Sequence, residues 1–169
     1  MQQQAPILVV EDDENDMALI RRTLTNACIP NPRQFLGTGE EAVNYLAGAG
    51  AYSDREKYPL PALVLLDLKL PAMHGFEVLK WIRAHPQFKE LRVVVLTSSN
   101  NLRDVREAYR LGANSFLVKP LEFENIASLF GAIGAQLWKA NTRAAPEEMP
   151  ARTAKVDVDD LSSPGPKSG

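Results

Sequence analysis

Acidic, hydroxyl and ammonium side chains follow four short apolar runs, each at the point where the run ends. They are Glu11 and Asp12 after ILVV, Asp67 after LVLL, Thr97 after VVVL, and Lys119 after FLV. If the runs are neighbouring parallel strands, their carboxyl ends meet at one edge of the sheet, where such sheets bind ligands. Carboxylates brought together resist ionising unless a cation neutralises them, and Mg²⁺ prefers carboxylate oxygens. The set therefore predicts a Mg²⁺ site beside a hydroxyl and an ammonium.

The chemistry that this set predicts is phosphoryl transfer. A metal, a hydroxyl and an ammonium together surround a three-oxygen anion with positive charge and hydrogen-bond donors. Asp67 follows the most buried run, so it is the predicted nucleophile. Taken alone, Asp67 would be read as a helix cap or a solvated turn, Thr97 as an ordinary strand residue and Lys119 as a solvated side chain. Asp13 begins a run of acids typical of a helix start, and we interpret it as the cap.

The elements that must position these residues alternate along the chain. Short apolar runs predict five strands, over residues 7–10, 34–37, 62–66, 92–96 and 116–118. Amphipathic patterns predict five helices between and after them, and the clearest has its apolar stripe at Phe123, Ile126, Phe130, Ile133 and Leu137. Such alternation implies right-handed crossovers and a parallel sheet covered on both faces, which is a doubly wound α/β fold. Leu129 and Trp138 fall beside the stripe, which leaves open an apolar edge for a partner.

Two segments depart from this alternation. Residues 47–61 are long for a helix-to-strand connection, and their Gly and Pro residues predict an irregular surface loop. After Trp138 the apolar period ends, and Pro, Ser and mixed charge predict a disordered tail over residues 141–169. The folded domain is accordingly expected to span residues 5–140.

Composition disfavours several classes of protein. The 169 residues are 45% hydrophobic, which suits one domain. A formal net charge of −2 gives no basic surplus, so we expect no nucleic-acid partner. Cys28 is the only cysteine, which excludes an intramolecular disulfide. The N-terminal apolar run stops at acids after four residues, so it predicts neither a signal peptide nor a membrane span. These features together favour a cytoplasmic protein without a membrane partner.

Four motifs occur in the order and spacing of a known family. They are ILVVEDD, LLDLKLP with the following HG, VVVLTSS and GANSFLVKP. With them, the chain from about residue 7 to residue 138 resembles the receiver domain of two-component response regulators. The resemblance implies a CheY-like fold of strand order 2-1-3-4-5. It also implies a signalling protein that accepts a phosphoryl group from a sensor histidine kinase, rather than an enzyme acting on a separate substrate.

The resemblance assigns roles around the metal. It implies that Asp67 is both the phosphoacceptor and a Mg²⁺ ligand, that Asp12 binds Mg²⁺ directly and that Glu11 acts mainly through a metal-bound water. The backbone carbonyl of Lys69 would be a further ligand, and the Lys69 side chain would influence the lifetime of the phosphorylated state. His74 stands where many receivers have Asp, but away from the metal, so we expect it to have little effect on phosphorylation.

The resemblance also assigns roles around the phosphoryl group. Thr97 would donate a hydrogen bond to it, and Lys119 would pair with it, positioned by a cis peptide bond to Pro120. Phe116 would be the aromatic residue that turns inward when the Thr97 hydroxyl is drawn to the phosphoryl group. Without the resemblance, Phe116 would be read as ordinary core.

A narrower resemblance rests on the 47–61 loop, the phrase VLKWIRAHPQFKELRVVVLTSS and the lack of a predicted output domain. These features are similar to stand-alone response regulators that partner bacterial and cyanobacterial phytochrome kinases. Such regulators commonly form homodimers through the face nearest the last helix. A phytochrome-type kinase and a second copy of the chain are therefore the expected partners.

Other functions use some of the same residue types. A phosphatase of the haloacid-dehalogenase type also has an Asp nucleophile and Mg²⁺, but it typically carries a second Asp two residues on, where this chain has Lys69. A receiver that has lost phosphorylation would serve as an adaptor, yet all five residues of the opening set are present. The GTGEEA turn at 37–42 matches a dinucleotide-binding pattern, but Thr38 and Glu41 are better read as a capping box.

Overall fold

The computed structural model describes residues 4–98 and 101–138, the side chains of 132–138 excepted. Its strands are β1 (Ile7–Val10), β2 (Arg33–Leu36), β3 (Leu63–Asp67), β4 (Arg92–Thr97) and β5 (Ser115–Val118). Its α-helices are α1 (Glu14–Asn26), α2 (Gly39–Ala47), α3 (Gly75–Ala84), α4 (Leu102–Arg110) and α5 (Phe123–Trp138). Single 3₁₀ turns occur at Gly50–Tyr52 and Pro86–Phe88.

The five strands form one parallel sheet in the order β2-β1-β3-β4-β5, which confirms the predicted fold. Side chains alternate between the two faces of each strand. Leu8 and Val10 accordingly pack in the core beneath α2, α3 and α4, whereas Ile7 and Val9 pack in the core beneath α1 and α5. Because β1, β3 and β4 are covered on both sides, the polar residues at their carboxyl ends stand on a rigid base.

Helix starts follow the capping residues in the sequence. The Asp13 carboxylate accepts a hydrogen bond from the Asp16 N–H at 2.9 Å, which confirms Asp13 as the cap of α1. Thr38 Oγ1 likewise accepts from the Glu41 N–H at 3.1 Å. The Glu41 carboxylate, however, accepts from the N–H of Gly37 rather than Thr38, so only half of the predicted capping box forms.

Helix α5 buries a wider face than the predicted stripe. Ile126 and Phe130 are buried as expected, but Leu129 is also fully buried, so the idea that it belongs to an exposed edge is wrong. A core-facing helix buries an arc of about 100° or more, which includes the position three residues after Ile126. Phe123, by contrast, is 49% exposed at the first position of the helix.

The connection over residues 47–61 is irregular, as predicted, but it is firmly anchored. Three tyrosine rings pack together with centroids 5.1–6.0 Å apart, those of Tyr45, Tyr52 and Tyr58. The Arg55 guanidinium donates hydrogen bonds to the carbonyls of Tyr45 and Leu46 at 2.8 and 2.6 Å. These carbonyls belong to the last turn of α2, where a helix has fewer N–H donors than carbonyl acceptors; the Tyr45 carbonyl also accepts from the N–H of Gly48 at 3.2 Å. Arg55 therefore caps α2 and ties the loop to it.

Two further expectations concern the ends of the chain and the membrane. The predicted tail over residues 141–169 lies outside the described residues. Within the described part of the chain, no helix is both long and apolar enough to span a bilayer.

Candidate functional site

Three carboxylates meet at the carboxyl ends of β1 and β3. Val10 of β1 pairs with Leu66 of β3, so the residues that follow them, Glu11 and Asp67, are neighbours. Carboxylate oxygens of Glu11, Asp12 and Asp67 all lie within 4.8 Å of one another. Glu11 is fully buried and Asp67 is 4% exposed, whereas Asp12 is exposed. The cluster is therefore buried at Glu11 and Asp67 and open to solvent at Asp12.

Lys119 reaches this cluster from the end of β5. Its backbone N–H donates to the Thr97 carbonyl at 2.7 Å, and its peptide bond to Pro120 is cis. Its ammonium donates hydrogen bonds to Asp67 Oδ2 at 2.9 Å and to Asp16 Oδ2 at 3.1 Å. It also lies 2.5 Å from Glu11 Oε2. The ammonium is thus shared among three carboxylates.

Asp16 is a member of this set that the sequence did not single out. It lies in the first turn of α1, among acids that all suit a helix start. No feature of the sequence separates it from the exposed Glu14 in the same turn. Its ammonium partner is 103 residues away along the chain, so only the folded structure identifies the contact.

Burial and ion pairing act together on the site's protonation. Burial, opposed by the Lys119 ammonium, raises the pKa of Glu11 to about 7. Burial alone would lower the pKa of Lys119, but hydrogen bonds from its ammonium to Glu11 and Asp67 raise that pKa above its ordinary value. Lys119 therefore stays charged at neutral pH, whereas Glu11 changes its charge there.

The donor set fits a hard divalent cation. Glu11 Oε2 is buried and is ion-paired with the Lys119 ammonium, which it shares with two other carboxylates. Three carboxylates contact the single Lys119 ammonium, and a fourth, that of Asp12, lies within 4.8 Å of Glu11 and Asp67, so negative charge is in excess. Mg²⁺ binds carboxylate oxygens and usually keeps several waters, which the open side at Asp12 would admit. The arrangement can hold such an ion and place positive charge around an anion at Asp67.

The remaining predicted site residues lie on β4, on β5 and in the turn after Asp67. Thr97 ends β4, the strand next to β3, and is 3% exposed. Phe116 on β5 is 1% exposed and packs edge-to-face on Tyr109 of α4, with ring centroids 6.0 Å apart. The Lys69 N–H donates to Asp67 Oδ1 at 3.1 Å, while the Lys69 side chain is exposed.

The turn after Asp67 contains a glycine whose role the sequence did not reveal. The N–H of Gly75 donates to the Leu68 carbonyl at 2.9 Å, which brings the start of α3 against the end of β3. A Cβ at Gly75 would overlap the Asp67 carbonyl. His74 precedes it and caps α3 through Nδ1, with Glu77 accepting from the His74 N–H. The HG pair thus fixes the backbone beside the candidate phosphoacceptor.

This geometry agrees with the family to which the sequence is similar. The model of the response regulator receiver domain matches residues 7–130. The chain belongs to the response regulator receiver family. The receiver is 40% identical over 124 residues to the response regulator Rcp1 of Synechocystis sp., a match that covers 73% of this chain and 80% of Rcp1.

Solved structures of similar proteins share the fold of the receiver. The bacteriophytochrome response regulator RtBRR is 39% identical with a TM-score of 0.68, over 87% of this chain and 84% of that one. The Mn²⁺-bound form of Rcp1 is 35% identical with a TM-score of 0.66, over 83% and 99%. The phosphorylated cyanobacterial phytochrome response regulator RcpA is 31% identical with a TM-score of 0.68, over 85% and 99%. The receiver is therefore a signalling protein of the phosphorelay type, and the phosphatase and adaptor readings are not favoured.

Proposed function

We propose that the receiver accepts one phosphoryl group on Asp67 in a Mg²⁺-dependent reaction with a phytochrome-type sensor histidine kinase. The observation that carries this proposal is the setting of the Asp67 carboxylate. It is nearly buried, it is 2.9 Å from an ammonium, and it is within 4.8 Å of two further carboxylates. The candidate nucleophile, the Asp67 carboxylate, thus lies beside both a predicted metal site and a fixed positive charge.

In the proposed reaction an Asp67 carboxylate oxygen attacks the phosphorus of a phosphohistidine. The phosphorus–nitrogen bond breaks, its electron pair stays on the imidazole, and an acyl phosphate forms on Asp67. Glu11, Asp12, Asp67 and the backbone carbonyl of Lys69 would hold Mg²⁺, which when bound would neutralise charge on the phosphoryl oxygens. Lys119 would pair with one of these oxygens.

The proposed response to phosphorylation involves Thr97 and Phe116. The Thr97 hydroxyl would donate to a phosphoryl oxygen, because β4 ends beside β3. Phe116 lies on the adjoining strand and contacts Tyr109 of α4. Since Phe116 is already buried, its proposed movement is a repacking against Tyr109, which would change the surface of α4.

The expected partners and location complete the proposal. The likeness to RtBRR and RcpA supports a phytochrome-type kinase, because both are phytochrome response regulators. We further propose a homodimer formed through the face nearest α5, a cytoplasmic location, and no catalysis on separate substrates. The folded receiver would span residues 5–140, followed by a disordered tail.

The phosphoacceptor is tested with a small phosphodonor. Incubation with acetyl phosphate and Mg²⁺ should add one phosphoryl group, seen by intact-protein mass spectrometry, and chelation of Mg²⁺ should prevent it. Asp67→Asn should remain unlabelled, while Asp54→Asn, at an exposed acid of the 47–61 loop, should label like the unaltered chain. Label retained in Asp67→Asn would move the acceptor elsewhere.

The partner is tested by a phosphotransfer profile against the histidine kinases of the source organism. A phytochrome-type kinase should transfer its phosphoryl group to the receiver faster than the others do. Equal rates from all kinases, or preference for one without a photosensory domain, would contradict this part of the proposal alone. Sedimentation velocity of the phosphorylated and unphosphorylated receiver would test the homodimer.

A further inference from the structure

Asp16 differs from the other two partners of the Lys119 ammonium. Glu11 and Asp67 belong to the carboxylate cluster that would bind Mg²⁺, but Asp16 does not. Asp16 instead approaches the ammonium from α1, where its own N–H is fixed by the Asp13 cap at 2.9 Å. Its carboxylate is about one third exposed, so it lies on the solvent side of Lys119.

Metal binding, which is part of the proposed function, would change the surroundings of Lys119. An ammonium has three donors, and here each faces a different carboxylate. If Glu11 and Asp67 coordinated Mg²⁺, their charge would be directed to the metal and the ammonium would be less strongly paired with both of them. Asp16 is then the carboxylate that still faces the ammonium.

We propose that Asp16 is a positioning residue, which holds the Lys119 ammonium in the Mg²⁺-loaded receiver and thereby strengthens Mg²⁺ binding. The inference rests on the proposed Mg²⁺ site. If Asp16 holds Lys119 in this way, the ammonium stays at the solvent-facing side of the site, where it can pair with an incoming phosphoryl group. Asp16 thus acts through Lys119 rather than on the phosphoryl group itself.

The effect on metal affinity follows from a difference between two states. Without Mg²⁺, removing the Asp16 charge leaves Lys119 with two carboxylates, so little is lost. With Mg²⁺ bound, removing the Asp16 charge would leave the Lys119 ammonium, which is only 12% exposed, close to a dication and without a carboxylate to pair with. The loss is therefore larger in the loaded state, and by linkage the affinity for Mg²⁺ falls.

A simpler explanation would be that any acid near the site attracts the cation. That direct attraction would not depend on Lys119, and it would be shared in part by Glu14, an exposed acid in the same turn of α1. Exposed charges are also screened at about 0.15 M ionic strength, where the Debye length is about 8 Å. Dependence on Lys119 is therefore the signature of the positioning role.

The test is a set of Mg²⁺ titrations by isothermal titration calorimetry in physiological salt. Asp16→Asn should weaken Mg²⁺ binding about fivefold, which is about 1 kcal/mol. Glu14→Gln and Asp16→Glu should stay within about twofold of the unaltered receiver, because neither removes the acid that faces Lys119. In a Lys119→Met background, adding Asp16→Asn should change the affinity by less than about twofold.

Three results would overturn the inference. An unchanged affinity in Asp16→Asn would show that the contact does not matter. An equal loss with and without Lys119 would show that Asp16 acts directly on the cation. If the unaltered receiver binds no Mg²⁺, this inference and the proposed metal site both fail. If the receiver binds Mg²⁺ and Asp16→Asn binds it equally well, only the inference fails.

A second measurement does not depend on the folding of the Lys119→Met variant. The reactivity of the Lys119 amine toward acetic anhydride can be followed by peptide mass spectrometry in Asp16→Asn and in the unaltered receiver. With Mg²⁺ present, Lys119 should react severalfold more in Asp16→Asn. Without Mg²⁺, the two proteins should react alike, since Glu11 and Asp67 still hold the ammonium. Equal reactivity in both conditions would contradict the proposal.

Discussion

Replacing Lys119 with Met is the most informative test of the electrostatics at the site. The ammonium lies 2.5 Å from a Glu11 oxygen and 2.9 Å from an Asp67 oxygen, and both carboxylates are almost completely buried. At an effective dielectric constant of about 20, each contact is worth about 6 kcal/mol before the cost of desolvation is subtracted. Removing one partner of a buried ion pair typically costs about 3–5 kcal/mol, because the other charge is left uncompensated.

We expect the lower end of that range, about 3 kcal/mol at about pH 8 without Mg²⁺, because the buried Glu11 carboxyl, whose pKa is raised to about 7, can take up a proton instead. With a urea dependence of about 2 kcal/mol per molar, the midpoint of unfolding should fall by about 1.5 M. Far-UV circular dichroism during urea titration measures this shift. Lys89→Met, which removes the same charge at an exposed position, should leave the midpoint nearly unchanged.

The dependence on pH and metal distinguishes this explanation from a packing defect. In the unaltered receiver Glu11 gains a proton below about pH 7, so at about pH 5.5 Lys119 has one fewer charged partner to lose. The difference in the free energy of unfolding between the unaltered receiver and Lys119→Met should then be about half as large. Mg²⁺ should narrow the difference as well, because it neutralises the same carboxylates. If the difference in the free energy of unfolding is the same at both pH values and in the presence of Mg²⁺, the loss is not electrostatic.

Three further predictions concern metal binding, backbone strain and partner recognition. Because Mg²⁺ must displace a proton from Glu11 below pH 7, the Mg²⁺ affinity measured by calorimetry should fall about tenfold for each pH unit below that value. Without Mg²⁺, the raised pKa of Glu11 means that the folded protein binds this proton more tightly than the unfolded chain does. Thermal unfolding should therefore show the metal-free receiver to be less stable at about pH 8 than at about pH 6. Cys28 has φ 55° in the Schellman turn that ends α1, and its side chain is exposed, so Cys28→Gly should stabilise the fold by about 1 kcal/mol and raise the melting temperature by about 3 °C, whereas Cys28→Ala should not. Leu19 is an exposed apolar residue (43%) on α1, three residues after Asp16, so we expect it to contact a phosphodonor protein; Leu19→Glu should slow phosphotransfer from a histidine kinase and leave labelling by acetyl phosphate unchanged.

The strands, the helices and the meeting of the acidic residues could be predicted because they depend on local patterns, whereas the strand order came from the resemblance to receiver domains. Apolar runs identify the strands, and the residues directly after them must share an edge of the sheet. The predicted start of β2 was late by one residue, since Arg33 carries a long charged side chain yet pairs with Ile7. Periodicity alone could not distinguish Leu129, which is buried, from Phe123, which is half exposed.

Contacts between distant parts of the chain were the part that the sequence could not supply. Asp16 reaches Lys119 across 103 residues, and its sequence context suits an ordinary helix start. Arg55 likewise reads as a solvated charge in a loop, yet it caps the carbonyls at the end of α2. Both side chains find partners that are set by the crossing of elements and not by spacing along the chain.

The anchored connection between α2 and β3 offers a place to attach a reporter. It joins the amino end of β3, so it lies at the opposite edge of the sheet from Asp67. Tyr45 and Arg55 secure its two sides through hydrogen bonds to backbone carbonyls, while Ser53 and Asp54 are exposed between them. A fluorophore at Ser53 would therefore report binding and association of the receiver without obstructing the edge where a phosphodonor must arrive.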